Sequence, residues 1–527
     1  MSIKEKISGA LAELLGEENG FSVDLPDRKA TDADYSTNAG FVLSKKSGEN
    51  PNASAEAVSR KLKESYPNLF DKIETKGGFI NMWVSPSVLK EEILLVLKDE
   101  GRYGSSSALE GRNIQVEFIS ANPTGPLTLA NGRGGFYGDV LSNILEFSGA
   151  RVEREYYVND AGNQVLTLGK SILSAMGFIE GEEEFYKGSY IKEWALKNRP
   201  VVEEREADPS GVGESAAHDF LSSIKSVVEG KARIRFDRYT SEKNLGEEGL
   251  VKKALEVLKK SGLVYDSEGA TWLKTTDFKD DKDRVLITSD GLPTYFLSDA
   301  GHYLETLERG FDWKINILGP DHYGYVKRIQ AVAKILGFRR SEVLITQAIL
   351  IKKDGEFVRM SKRKGEFVTF EELVDEVGVD TARFFFLMVG RESHIDFDLA
   401  LAKEKSSRNP VFYAEYAYVR AKKIMSNYGK SFDLSADLAC LNSSPERELM
   451  SVISRLPDVV SYSSKTYEIH HLTKYALDLA RAFHNFYEKE RVIGEKEETA
   501  RLILVSAFLS VMQNTLRLLG IVPPESM

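Results

Sequence analysis

Apolar positions change their period along the chain, and each change marks a stretch of different architecture. Within residues 1–105, Ile7, Leu11 and Leu14-Leu15 fall on one helical face, and Val58, Leu62 and Tyr66 follow at steps of four. Gly77-Gly78 before Phe79-Ile80-Asn81-Met82-Trp83-Val84 predicts a turn and then a strand. This is the pattern of a small α+β domain, closed by a serine-rich linker over 104–111. Residues 114–119 then alternate apolar and polar, and 120–135 are rich in Gly, Pro, Asn and Thr. Phe136, Val140, Leu141, Ile144 and Leu145 recur at helical spacing up to Gly149, and 152–158 reads as strand again. Strand, loop, helix and strand in that order predict a parallel sheet with a right-handed crossover. Residues 165–282 are more polar and read as an insertion. The sheet pattern resumes at 285–288 and 315–318, with a helix over 325–336, a strand near 343–346 and a hairpin about Lys353-Asp354-Gly355. Beyond about 390 the period is helical, which predicts an all-helical bundle without strands. The expected organisation is an N-terminal α+β domain (1–105), a parallel-sheet α/β domain (106–389) and a C-terminal helical domain (390–527).

Composition narrows the class. Lys and Arg number 70 and Asp and Glu 80 in 527 residues, a net charge of −10. That balance argues against a protein coated in nucleic acid but leaves room for a local basic patch, because charges are screened over about 8 Å. No apolar run reaches the roughly 18 residues that cross a bilayer, and Met1-Ser2-Ile3-Lys4-Glu5-Lys6 lacks the apolar core of a signal peptide. A cytoplasmic protein with no membrane partner is expected. The lone Cys440 allows no internal disulfide and no multi-thiolate zinc site, so neither zinc nor another metal-ligand set is expected.

Two segments carry chemistry. The first, Asn122-Pro123-Thr124-Gly125-Pro126-Leu127-Thr128-Leu129-Ala130-Asn131-Gly132, links a strand to a helix at a carboxyl edge of the sheet. Ligands of open α/β sheets bind at such edges, and a helix N-terminus presents free N–H groups to phosphate. The second, Arg359-Met360-Ser361-Lys362-Arg363-Lys364-Gly365, is a cationic run in an acidic chain, suited to neutralising charge in phosphoryl or nucleotidyl transfer.

Taken together, the two segments resemble the signatures of class I aminoacyl-tRNA synthetases. The flanks Val116-Glu117-Phe118-Ile119-Ser120-Ala121-Asn122-Pro123-Thr124-Gly125-Pro126, Tyr157-Val158-Asn159-Asp160-Ala161-Gly162-Asn163-Gln164 and Lys362-Arg363-Lys364-Gly365-Glu366-Phe367-Val368-Thr369 are similar to arginyl-tRNA synthetases. So are Asp396-Phe397-Asp398, Asn409-Pro410-Val411-Phe412-Tyr413 and the C-terminal Leu518-Leu519-Gly520-Ile521. The family's first signature, H-x-G-H, is replaced by Thr128-Leu129-Ala130-Asn131, and its K-M-S-K signature begins with Arg359. Threonine and asparagine retain hydrogen-bond donors in place of imidazole.

The resemblance implies a Rossmann-like catalytic domain that attaches arginine to tRNA(Arg) through an arginyl-adenylate, using ATP with Mg2+ on its phosphates. It implies catalytic roles for Thr128, Asn131 and Lys362, and ATP contacts from Pro126, Ala130, Gly132, Gly319, Asp321, Met360 and Ser361. Arginine would meet Glu117, Ser120, Asn122, Tyr295, Asp299, His322 and Asn38, since a guanidinium pairs bidentately with carboxylates. The N-terminal domain would touch the tRNA, and the helical domain would read the anticodon arm through Tyr413, Tyr416 and Arg420, stacking bases and holding phosphates. A monomer is expected. Two alternatives stay open at this point: a non-catalytic tRNA-binding relative, and a synthetase for another amino acid.

Overall fold

A computed structural model describes residues 2–16, 20–26, 30–99, 101–353, 356–357, 368–434 and 436–527. The chain divides into two compact units, one of Met1–Ser106, Ser406–Thr466 and His471–Met527, the other of Ser107–Lys405 and Tyr467–His470.

The second unit is built on a five-stranded parallel sheet. Strand β1 (Asn113–Glu117) leads through helix α1 (Leu129–Phe147) to β2 (Arg151–Val158), and β3 (Arg238–Ser241) pairs beyond it. Helix α2 (Tyr295–Glu308) precedes β4 (Trp313–Leu318), and α3 (Val326–Leu336) leads to β5 (Arg340–Ile345). The strand order is β5-β4-β1-β2-β3. β1 is buried from Ile114 onward, as a strand covered on both faces by crossover helices must be. α1 lies close to the sheet because Gly138 has no side chain: a Cβ there would fall 2.3 Å from the Phe118 ring.

Three expectations from periodicity change. Residues 284–287 do not join the parallel sheet; Arg284–Ile287 closes a separate antiparallel sheet with Ala270–Leu273 and Val264–Ser267. The stretch 165–282 is not one continuous insertion, because β3 returns from it to the main sheet. Past residue 390 the chain is not purely helical, since Ile395–Asp398 pairs in parallel with Ile349–Lys353. Alternation reports that a segment is extended, not which strand it will meet. The expected hairpin forms between Ile349–Lys353 and Glu356–Phe357; its turn residues, 354–355, lie outside the described residues. Helices α4 (Phe370–Val377) and α5 (Val379–Leu387) follow.

The first unit holds an antiparallel sheet in the order Val23–Asp24, Tyr35–Thr37, Phe79–Val84, Phe70–Lys76, with helices from both ends of the chain. Buried acids join the early and late segments. Asp34 Oδ2 accepts from Val84 N at 2.9 Å and from Arg447 Nη2 at 2.8 Å. Asp458 accepts from Ser2 Oγ and Tyr35 Oη, both at 2.7 Å. Among the described residues one helix, Glu498–Leu518, is long and apolar enough to cross a bilayer, and most of it is buried within this unit as a core helix.

Candidate active site

Beyond the C-terminal ends of β1 and β4 the chain leaves in opposite directions, through α1 toward β2 and through α3 toward β5. The crevice between two such strands is where an open α/β sheet takes its ligand. A cavity of about 1550 Å³ opens there. It brings together most of the residues expected from sequence: Glu117, Ser120, Asn122, Pro126, Thr128, Ala130 and Asn131 from β1 and the loop into α1, Tyr295 and Asp299 from α2, and Gly319, Asp321 and His322 after β4.

The floor is an ionic cluster. Lys314, in the middle of the sheet and fully buried, places Nζ 3.1 Å from Glu117 Oε2 and 3.5 Å from Glu155 Oε2. His302 Nε2 lies 3.0 Å from Glu155 Oε2, and its ring stacks on Tyr157 at 4.3 Å. Burial alone would raise the Glu155 carboxyl, but the adjacent His302 and Lys314 charges hold it well below the usual carboxylate range. Glu117, Glu155 and His302 have ligand atoms close enough for a metal. The Lys314 ammonium already lies within 3.5 Å of both carboxylates, so the group reads as structural. Glu117 also accepts from Asn316 Nδ2 at 2.6 Å and Ser120 Oγ at 3.1 Å. Ser120 Oγ in turn accepts from Tyr157 N at 3.1 Å. Ile119 and Ser120 adopt φ of 65° and 38°, a left-handed pair that costs on the order of 1–3 kcal/mol per residue and is held by these bonds.

A second acidic pair lies on the wall. Enclosure raises the Asp299 carboxyl to about 6; the Tyr325 hydroxyl donates to it and opposes this, while the Glu117 charge adds to it. Glu242, at the start of the helix Glu242–Glu247, is raised to about 7 by enclosure and then by the Asp299 and Asp160 charges, with Ser298 hydrogen-bonded to it. Neither Asp299 nor Glu242 forms an ion pair among the described residues. Two enclosed carboxyls, each raised by burial and by an acidic neighbour and neither ion-paired among the described residues, make a site for a positive ligand.

The turn into α1 is closed by a reciprocal cap. Thr128 Oγ1 and Thr128 N both donate to Asn131 Oδ1, at 2.7 and 3.0 Å, and Asn131 N donates back to Thr128 Oγ1 at 3.4 Å. Ala130 is exposed on the cavity side. Tyr295 is 58% exposed at the mouth. His322, half exposed, lies 3.4 Å from Asp321 and edge-on to Tyr325.

Other expected residues lie elsewhere. Gly132 does not line the cavity; it is buried under the Phe370 ring. Asn38 belongs to the other unit, where its Oδ1 accepts from Ser22 N at 2.8 Å. Met360, Ser361 and Lys362 lie outside the described residues. In the first unit, on the helix Pro410–Tyr428, Arg420 donates to Tyr416 Oη at 2.6 Å and lies 4.6 and 4.5 Å from the Tyr416 and Tyr487 ring centroids; Tyr413 packs on His484 at 4.7 Å. Sequence reasoning missed Glu242, Lys314, Tyr157 and Tyr325. Glu242 sits in a polar stretch with no motif to single it out, and a lysine inside a strand reads as exposed.

Comparison with known proteins identifies the family. Residues 1–84 match the family description "Arginyl tRNA synthetase N terminal domain", 92–385 match "tRNA synthetases class I (R), catalytic domain", and 414–527 match "DALR anticodon binding domain". The chain is 38% identical to an arginine–tRNA ligase of Citrifermentans bemidjiense over 97% of this chain and 96% of that one. It is 40% identical to the arginine–tRNA ligase of Listeria welshimeri, over 94% and 92%. A crystal structure described as a putative arginyl tRNA synthetase from Campylobacter jejuni superimposes with a TM-score of 0.76 at 32% identity, covering 84% of this chain and all of that one. With its parallel-sheet crevice, its unpaired acids and these full-length relatives, the chain belongs to the arginyl-tRNA synthetases, the arginine–tRNA ligases of class I.

Proposed function

We propose that the cavity carries out the family's reaction, attachment of arginine to tRNA(Arg), with the following division of labour. The guanidinium enters between Asp299 and Glu242, with Tyr295 over its face and Glu117 behind; Ser120, Asn122 and His322 serve the amino-acid end, and Asn38 is assigned to arginine by resemblance alone. ATP lies along Pro126, Ala130, Gly319 and Asp321, with its phosphates toward Thr128 and Asn131 at the positive end of α1; Gly132, buried under the Phe370 ring, is left out of the nucleotide contacts. Mg2+ arrives on those phosphates as part of the nucleotide substrate and offsets their charge. The arginine carboxylate attacks the α-phosphate in line, pyrophosphate leaves, and a terminal ribose hydroxyl of tRNA then takes the arginyl group and releases AMP. Lys362, with Met360 and Ser361 beside it in sequence, neutralises the charge that develops on the departing phosphates. Tyr413, Tyr416 and Arg420 hold the anticodon arm, and the N-terminal domain touches the tRNA as well. The protein works in the cytoplasm as a monomer.

The observation that carries this reading is the Asp299–Glu242 pair, two enclosed acids that line one cavity and form no ion pair among the described residues. Aminoacylation of tRNA with each amino acid supplied separately tests it. Charging with arginine alone is expected, and Lys362→Ala should slow arginine-dependent ATP–pyrophosphate exchange about 100-fold or more. Charging with another amino acid, or tRNA binding with no charging at all, would refute it.

A further inference from the structure

The helix that follows the lysine-rich segment begins where α1 begins. Thr369 and Thr128 form an isolated antiparallel bridge, and Phe370 N donates to the Leu127 carbonyl at 2.9 Å. Each threonine caps its own helix: Thr128 pairs reciprocally with Asn131, and Thr369 with Glu372. The Phe370 ring is fully buried, edge-on to Phe136 at 5.2 Å. It covers Gly132, where a Cβ would fall 2.1 Å from a ring carbon. Arg383 on α5 fastens the same patch from behind. Its guanidinium lies 4.6 Å from the Phe136 ring centroid, pairs with Asp139 on α1, and donates to the carbonyls of Ala232 and Arg233.

We propose that Phe370 is a positioning residue for the nucleotide turn: its ring, seated on the bare backbone of Gly132, holds Thr128 and Asn131 in register for the triphosphate. The role of Gly132 is then to admit the ring rather than to touch the nucleotide. Thr128 and Asn131 lie one turn or less from Gly132 on α1, so a displacement of the ring is passed to both. The idea rests on the reading of Thr128 and Asn131 as phosphate contacts. It adds a residue that is fully buried and cannot touch substrate.

The test is arginine-dependent ATP–pyrophosphate exchange by the full-length enzyme with tRNA present. Gly132→Ala should lower kcat about tenfold or more and raise the KM for ATP, with the KM for arginine within about twofold of wild type. Adding Phe370→Ala, which removes every ring carbon that the new methyl would strike, should restore kcat to within about threefold. That rescue separates the proposal from direct nucleotide contact, because a methyl that struck ATP would still be present in the double variant. Normal kcat in Gly132→Ala, a parallel rise in the KM for arginine, or failure of Phe370→Ala to rescue would each overturn it. Should Gly132→Ala not fold, Thr369→Ala takes its place: loss of the α4 cap should lower kcat about threefold at constant KM for arginine, and unchanged kcat would overturn the proposal. Lys362→Ala serves as the control on the underlying site reading, since exchange unaffected by that change would discredit the nucleotide assignment whatever the glycine variants do.

Discussion

Glu242 and Asp299 meet in the cavity wall with Asp160 and Glu117 nearby, while His302, Lys314, the Tyr325 hydroxyl and Ser298 pull the other way. The balance leaves the two carboxyls at about 7 and about 6. A guanidinium binds only their ionised forms. The sign follows: raised pKa values mean that part of the pair is protonated at neutral pH, and binding must expel those protons. Arginine affinity should therefore increase as pH climbs from about 5.5 to 8, with net proton release on binding. Calorimetry in buffers of different ionisation enthalpy measures that release, and affinity flat across the interval would contradict it. Asp299→Asn and Glu242→Gln should each raise the KM for arginine about 10- to 100-fold, the worth of one charge-assisted hydrogen bond, with little change for ATP.

Among the elements, β4 carries the costliest arrangement, an ammonium with no exposure in mid-sheet. Lys314 is tolerated because Glu117 on β1 and Glu155 on β2 converge on it, and Arg309 and Arg238 reach Glu155 from outside at 3.3 and 3.8 Å. Lys314→Met would fill the space, strip Glu117 of its ammonium partner and leave Glu155 to Arg309 and Arg238. A loss of about 3–5 kcal/mol is expected, seen as a lower midpoint in urea. A loss below about 1 kcal/mol would show that the cluster is held by hydrogen bonds rather than by charge.

At the scale of the molecule, the two ends of the chain share one unit, tied by Asp34 to Arg447 and by Asp458 to Ser2 and Tyr35. The stacked Tyr416, Arg420 and Tyr487 belong to that unit, while the residues lining the large cavity lie in the other. This separation predicts separable defects. Arg420→Ala should weaken tRNA binding about tenfold and leave arginine affinity unchanged, as filter binding and calorimetry would report. An equal fall in both would place the arginine residue in folding rather than in recognition.

The parallel-sheet class, the helices α1 and α3 and the loop before α1 were legible in the residues, because periodicity and turn chemistry are local; the acid and tyrosine of α2 came from the family resemblance. The sequence also placed Thr128, Asn131 and Asp299 on one cavity by analogy of motif. Tertiary structure alone decided that Arg284–Ile287 pairs apart from the main sheet, that β3 emerges from the polar stretch to extend it, and that Lys314 is sealed between two glutamates. It alone set Glu242 beside Asp299 and Phe370 over Gly132. The reason is range. A hydrophobic period is written in neighbours a few positions apart, whereas strand partners, charge compensation and ring-on-backbone contacts join residues tens to hundreds of positions distant, where no local pattern records them.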